Sequence, residues 1–125
     1  MDELLTQSDI LTLHCPLTPQ TTALINSNTL SKMKDGAILL NTSRGAVMNE
    51  QAVADALRSG KLKAAAVDVA AAEPIPADSP LLDAPNCIIT PHMAWAPKES
   101  RQRILNPTAE SIRSFLAGNT ANTVN

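Results

Sequence analysis

Apolar and polar positions along the 125-residue chain fall into blocks of strand and helix length. Four short apolar runs stand out: Ile10-Leu11-Thr12-Leu13, Ala37-Ile38-Leu39-Leu40, Ala64-Ala65-Ala66-Val67-Asp68-Val69 and Cys87-Ile88-Ile89-Thr90. They lack clean polar alternation, which predicts strands of a parallel sheet covered on both faces. Helical spacing occupies the intervals. Glu50 to Ser59 carries Val53, Ala54, Ala56 and Leu57, with Asn49 as N-cap and Gly60 as the stop. Thr29 to Met33, capped by Ser27, predicts a shorter helix ending near Asp35-Gly36. Lys98 to Ala117 repeats apolar residues at Ile104, Leu105, Ile112, Phe115 and Leu116 before Gly118, and Pro107 within it predicts a kink or two shorter helices.

Strand, helix, strand, helix, strand implies right-handed crossovers and an α/β fold with a parallel sheet of about four strands. The third connection breaks the rhythm. Between Ala70 and Asn86 stand Glu73-Pro74, Pro76, Pro80 and Pro85, so a long loop replaces the helix. Long loops in compact domains are often functional.

Composition narrows the function. Ten basic against twelve acidic residues give a net charge of -2, and only Trp95 and Phe115 are aromatic. There is neither a basic patch nor a stacking platform for nucleic acid. Apolar stretches of about six residues fall far short of the ~20 that span a bilayer, and Met1-Asp2-Glu3 carries no basic leader segment. The expectation is a soluble, cytoplasmic protein without nucleic-acid or membrane partners. Cys15 and Cys87 are too few for a disulfide framework and read as buried reduced thiols.

In parallel α/β sheets, ligands bind beyond the carboxyl ends of the strands. Those ends gather His14, Cys15 and Pro16, then Thr42, Ser43, Arg44 and Gly45, then Asp68 with Glu73, and finally Pro91, His92, Met93, Ala94 and Trp95. Each has a plain structural reading. Arg44 suits a surface ion pair, Asp68 a turn acceptor, Glu73 a solvated carboxylate and His14 a packed strand end; Gly45 suits a tight, open turn that a ligand can approach. Taken together, an arginine, a histidine and a carboxylate supply what the reduction of a 2-oxo acid needs. They provide a bidentate carboxylate clamp, a proton donor, and a partner that orients the donor and favours its charged form. A metal site built from His14, Cys15, Cys87 and His92 lacks any CxxC or HxxxH spacing, and no metal is expected.

Five motifs resemble the D-isomer-specific 2-hydroxyacid dehydrogenase family. They are Ser8-Asp9-Ile10-Leu11-Thr12-Leu13-His14-Cys15-Pro16-Leu17-Thr18, Asn41-Thr42-Ser43-Arg44-Gly45, Val67-Asp68-Val69, Glu73-Pro74 and Thr90-Pro91-His92-Met93-Ala94-Trp95, in order over essentially the whole chain. Ala94-Trp95 and Phe115-Leu116-Ala117-Gly118 look most like the glycerate dehydrogenase and hydroxypyruvate/glyoxylate reductase branch. The resemblance implies a partial Rossmann-like, doubly wound sheet: residues 1–97 as the C-terminal half of an NAD-binding domain, and 98–125 as a terminal helix and tail that packs toward a substrate domain. It implies Arg44, Glu73 and His92 as catalytic residues. Arg44 binds the substrate carboxylate and carbonyl oxygen, His92 exchanges a proton with that oxygen, and Glu73 orients His92. It implies that Asp68 bonds the nicotinamide carboxamide of NAD or NADP, while Cys15, Pro16, Thr42, Ser43, Arg44, His92, Ala94 and Trp95 line the nicotinamide half of the site.

Departures from the family pattern are Asn49 in place of an acid, Ala94 in place of glycine, and Pro107. The GxGxxG fingerprint is also missing, since Gly36, Gly45, Gly60 and Gly118 lie far apart. The expected function is therefore part of an oxidoreductase for a small 2-oxo or 2-hydroxy acid, of the glycerate/hydroxypyruvate or glycolate/glyoxylate type and inactive in isolation. The alternative is a non-catalytic remnant that oligomerises without binding cofactor. With Ile10 to Leu13 left as a sheet edge, either reading predicts a homo-oligomer.

Overall fold

The computed structural model describes residues 1–120 and Thr123. They divide into two units, Met1–His92 and Met93–Asn125. The first unit contains α1 (Asp2–Gln7), β1 (Ile10–Leu13), α2 (Ser27–Lys32), β2 (Ala37–Asn41), a 3-10 turn (Gly45–Val47), α3 (Glu50–Arg58), β3 (Leu62–Val67) and β4 (Cys87–Ile89). The second contains α4 (Lys98–Leu116).

All four strands pair in parallel in the order β1-β2-β3-β4, as the run-and-helix rhythm predicts. The register sorts side chains onto two faces. Leu11, Leu39, Ala65 and Cys87 align in one row and Leu13, Asn41, Val67 and Ile89 in the next. These rows join Leu5 of α1, Leu30 of α2 and Val53 and Leu57 of α3 in one core. Period-two packing thus governs the sheet, and the expectation of strands buried on both faces is corrected. The opposite face carries Ile10, Thr12, Ile38, Leu40, Ala66 and Ile88, which are half-buried or exposed. Its apolar side chains read as buried in sequence because they are aliphatic, although within this unit no helix core covers them.

Helix ends follow the capping rules, with one shift. Asn26, not Ser27, caps α2: its side chain accepts from the Asn28 and Thr29 amides while the Thr29 hydroxyl accepts from the Asn26 amide, a reciprocal capping box. Asn49 caps α3 through the Ala52 amide, as expected. Helix α1 is missed by periodicity because one turn and a half shows a single core residue, the fully buried Leu5. Of the two outcomes expected at Pro107, the split into two shorter helices is corrected. One helix spans Lys98–Leu116 with Pro107 inside it, because a proline removes one backbone donor and leaves the flanking bonds in place. Between β3 and β4 the described chain forms turns, bends and irregular loop without a helix, matching the proline-rich loop expected there.

Candidate active site

The loops beyond the carboxyl ends of β1, β2, β3 and β4 carry the candidate residues, and three open clefts lie among them. One of about 560 Å³ is lined by residues that include Asp68, Glu73, Thr90 and His92. A second, of about 570 Å³, is bounded by His14, Cys15, Pro16, Leu17, Thr42, Ser43 and Arg44. A smaller one of about 370 Å³ joins Arg44, Gly45, Ala70, Glu73 and His92. The fold therefore brings Arg44, Glu73 and His92, spread over 49 positions in sequence, to the walls of one cleft.

His92 and Glu73 form the centre of this arrangement. His92 Nδ1 lies 2.7 Å from Glu73 Oε2, and the Ala70 amide donates to Glu73 Oε1 at 3.2 Å. With both carboxylate oxygens engaged, the Glu73 carboxyl titrates below its usual range, chiefly through the bond with His92 and then through the Ala70 amide. The His92 backbone has φ 51°, in the left-handed region, and its amide donates back to the Thr90 carbonyl at 3.0 Å. This reversal of the chain after β4 sets the imidazole beside the loop that follows β3.

Arg44 stands where β2 ends. Asn41, fully buried, organises that turn: its Nδ2 donates to the Arg44 carbonyl at 3.0 Å, and its Oδ1 accepts from the Ser43 amide and hydroxyl, each at 3.1 Å. The Arg44 side chain is exposed and donates through NH1 to the Ser43 carbonyl. Gly45 corrects the expectation of an open turn. It is buried, and a Cβ there would come within 1.9 Å of the Ala70 carbonyl carbon and 2.3 Å of the Ala71 nitrogen. Close backbone packing, not ligand approach, is what requires glycine.

Asp68 is buried one residue past β3, its amide bound to the Asn41 carbonyl at 2.9 Å and its carboxylate accepting from the Thr90 hydroxyl at 2.5 Å. Thr42 and Ser43 border the cleft with Cys15 and Pro16. His14 is exposed with Nε2 2.9 Å from the Thr12 hydroxyl, so the expected packed strand end is corrected; β1 is an edge strand and the chain just past it emerges into the cleft. Cys15 and Cys87 are both half-buried rather than buried, and burial pushes the Cys87 thiol up. Ala94 and Trp95 belong to the second unit, where Trp95 is exposed. Among the described residues, no three of His, Cys, Asp or Glu converge as metal ligands.

Asn41 and Thr90 were missed as site residues, and so was Glu50, whose carboxylate accepts from the Ala71 amide at 2.7 Å and the Ser79 hydroxyl at 3.0 Å. A polar residue closing an apolar strand is the signal that Asn41 offered, whereas Thr90 and Glu50 act on loops distant in sequence.

The family described as D-isomer specific 2-hydroxyacid dehydrogenase, NAD binding domain, matches residues 1–94. The chain belongs to this family. It is 54% identical over 125 residues to a hydroxypyruvate reductase of Blautia hydrogenotrophica, covering 100% of this chain and 39% of that one. A glycerate dehydrogenase of Methylorubrum extorquens is 45% identical over 127 residues, covering 99% and 40%. Among solved structures, the TT0316 protein of Thermus thermophilus superposes with a TM-score of 0.88 at 43% identity, over 98% of this chain and 39% of that one. The chain thus spans about two fifths of the length of the relatives it matches. Its parallel sheet is the Rossmann-like sheet of their cofactor domain.

Proposed function

We propose that this chain carries the proton-transfer and substrate-carboxylate groups of an NAD-dependent dehydrogenase that interconverts a 2-oxo acid and a D-2-hydroxy acid. Hydroxypyruvate/glycerate or glyoxylate/glycolate is the substrate pair. The observation that carries this reading is the His92–Glu73 bond of 2.7 Å in a cleft shared with Arg44.

The residues present suit the nicotinamide half of a dinucleotide. Asp68 is a buried acceptor for a carboxamide N–H, and Pro16 and Leu17 offer apolar walls beside Thr42 and Ser43. NAD is the assigned cofactor, with NADP as the other candidate. When bound, it supplies or accepts a hydride at the substrate's C2.

Arg44 has five guanidinium N–H donors, of which one bond goes to Ser43, and its fork matches a carboxylate. Holding the substrate carboxylate there, it also polarises the adjacent carbonyl. Glu73 accepts from His92 Nδ1–H, fixing the ring so that Nε2 is the nitrogen that gives a proton to the carbonyl oxygen. In the oxidative direction the same Nε2, unprotonated, takes the hydroxyl proton. The carboxylate of Glu73 stabilises the imidazolium in either direction.

The helix and tail expected over residues 98–125 are assigned, as far as residue 120, to packing toward a substrate domain; residues 121, 122, 124 and 125 of that tail lie outside the described residues. The sheet face bearing Ile10, Leu40 and Ile88 is assigned to a homo-oligomer contact. A cytoplasmic location suits this chemistry.

The test grafts residues 1–125 in place of the matching span of the Blautia hydroxypyruvate reductase. The expected result is NADH-dependent reduction of hydroxypyruvate or glyoxylate, lowered by about 10²–10⁴-fold in His92→Ala. A graft that folds and binds NADH yet reduces neither acid would overturn the reading. The isolated chain, whose sequence holds no GxGxxG, is expected to leave NADH fluorescence unchanged at micromolar cofactor.

A further inference from the structure

The Ala70–Glu73 loop is exposed over most of its length, yet the proposed chemistry needs Glu73 held against His92. What holds the loop is visible in two consecutive amides. The Ala70 amide donates to Glu73 Oε1 at 3.2 Å, and the Ala71 amide donates to Glu50 Oε1 at 2.7 Å. The other oxygen of Glu50 accepts from the Ser79 hydroxyl at 3.0 Å, and Ser79 is buried. Glu50 opens α3, a short way along the chain from Arg44, and Gly45 from the same segment lies directly against the Ala70–Ala71 peptide.

We infer that Glu50 is a positioning residue for the proton-transfer pair, tying the start of the β3–β4 loop at Ala71 to its middle at Ser79 so that Glu73 is aimed at His92. The physical argument is geometric. Glu73 Oε1 is bound to the Ala70 amide, so the direction of the Glu73 carboxylate follows the orientation of that backbone. The next peptide is fixed by a charge-assisted bond from Glu50 on one side and by contact with Gly45 on the other. Ser79 ties the same carboxylate to the middle of the loop. Without Glu50, the Ala71 amide and the Ser79 hydroxyl lose their common acceptor, and the loop loses the fastening that joins its start to its middle. The inference rests on the proposed role of His92 and Glu73 in proton transfer, but the mechanical link is measurable without any reaction.

The chain has two histidines, and His14, bonded to Thr12 at the sheet edge, is an internal control. In the intact 125-residue chain, in mildly alkaline buffer, nitrogen NMR of the imidazoles should show His92 in its Nδ1–H tautomer. In Glu50→Ala, His92 should shift toward the mixture seen for a solvent-exposed ring, the Ala71 amide should exchange roughly tenfold faster or more, and the His14 signals should stay in place. Glu50→Gln, which keeps an acceptor for Ala71, should restore most of the His92 signature. Unchanged His92 and Ala71 signals in Glu50→Ala would overturn the inference. Should that variant unfold, Ser79→Ala decides: a His92 shift in the same direction supports the clamp, and no shift overturns it. If the clamp is seen but the grafted enzyme reduces neither acid, the proposed reaction fails and the link from Glu50 to His92 stands.

Discussion

Glu73 is exposed, so its low titration range comes from its partners: the bond with His92 and, after that, the Ala70 amide. A carboxylate whose folded pKa is depressed contributes stability above the unfolded value, and that contribution is lost as pH falls through the folded value. The Glu73–His92 link is therefore expected to persist from neutral pH down through the ordinary glutamate range near about 4.3 and to break only below it. Carbon NMR of the Glu73 carboxyl checks this. Its midpoint should rise toward the ordinary value in His92→Ala, and an unmoved midpoint would show that the bond does not govern it. At this scale the sequence was informative about kind, and its family resemblance also implied the pairing of Glu73 with His92, but it was silent about the residues that hold them in place. Arg44, Glu73 and His92 announce chemistry by type and position, but nothing in the order of residues tells that Asn41 holds the turn before Arg44, or that Thr90 holds Asp68.

The elements act as spacers that bring those side chains together. β2 and β3 are adjacent and parallel, so the turn after Asn41 and the loop after Val67 leave the sheet side by side. Gly45 is where they touch. Gly45→Ala would drive a methyl into the Ala70–Ala71 backbone, which cannot step aside as a flexible side chain does. A loss of about 3 kcal/mol or more is expected, checked by the urea midpoint, and a neutral result would mean that the two loops are not in close contact. Strands, α3 and the proline-rich connection were legible because each has a strong local signal. The one-and-a-half-turn α1 was not, since a single buried residue shows no period, and the α2 cap falls on Asn26 rather than Ser27 because Asn26 and Thr29 bond reciprocally.

In the molecule as a whole, one face of the sheet is closed by α1, α2 and α3, while the other leaves Ile10 59% and Ile88 65% exposed. Edge strands bearing such side chains pair with other chains. The proposed homo-oligomer predicts concentration-dependent association in sedimentation velocity, reduced by Ile10→Lys or Ile88→Lys without loss of helical signal. A stable monomer at micromolar concentration would count against it. No helix among the described residues is long and apolar enough to cross a membrane.

Local pattern was enough to establish a parallel α/β sheet, its helices and the strand ends at which chemistry gathers. Apolar runs, capping residues and proline-rich breaks are read over a few neighbouring positions, and each such position reports its own backbone preference. Folding settled the rest: which sheet face is covered, why Gly45 is glycine, and how Glu50 reaches Ala71 and Ser79 in a loop far along the chain. These are contacts between segments distant in the chain, and their energy depends on distances and angles that exist only once the strands are in register.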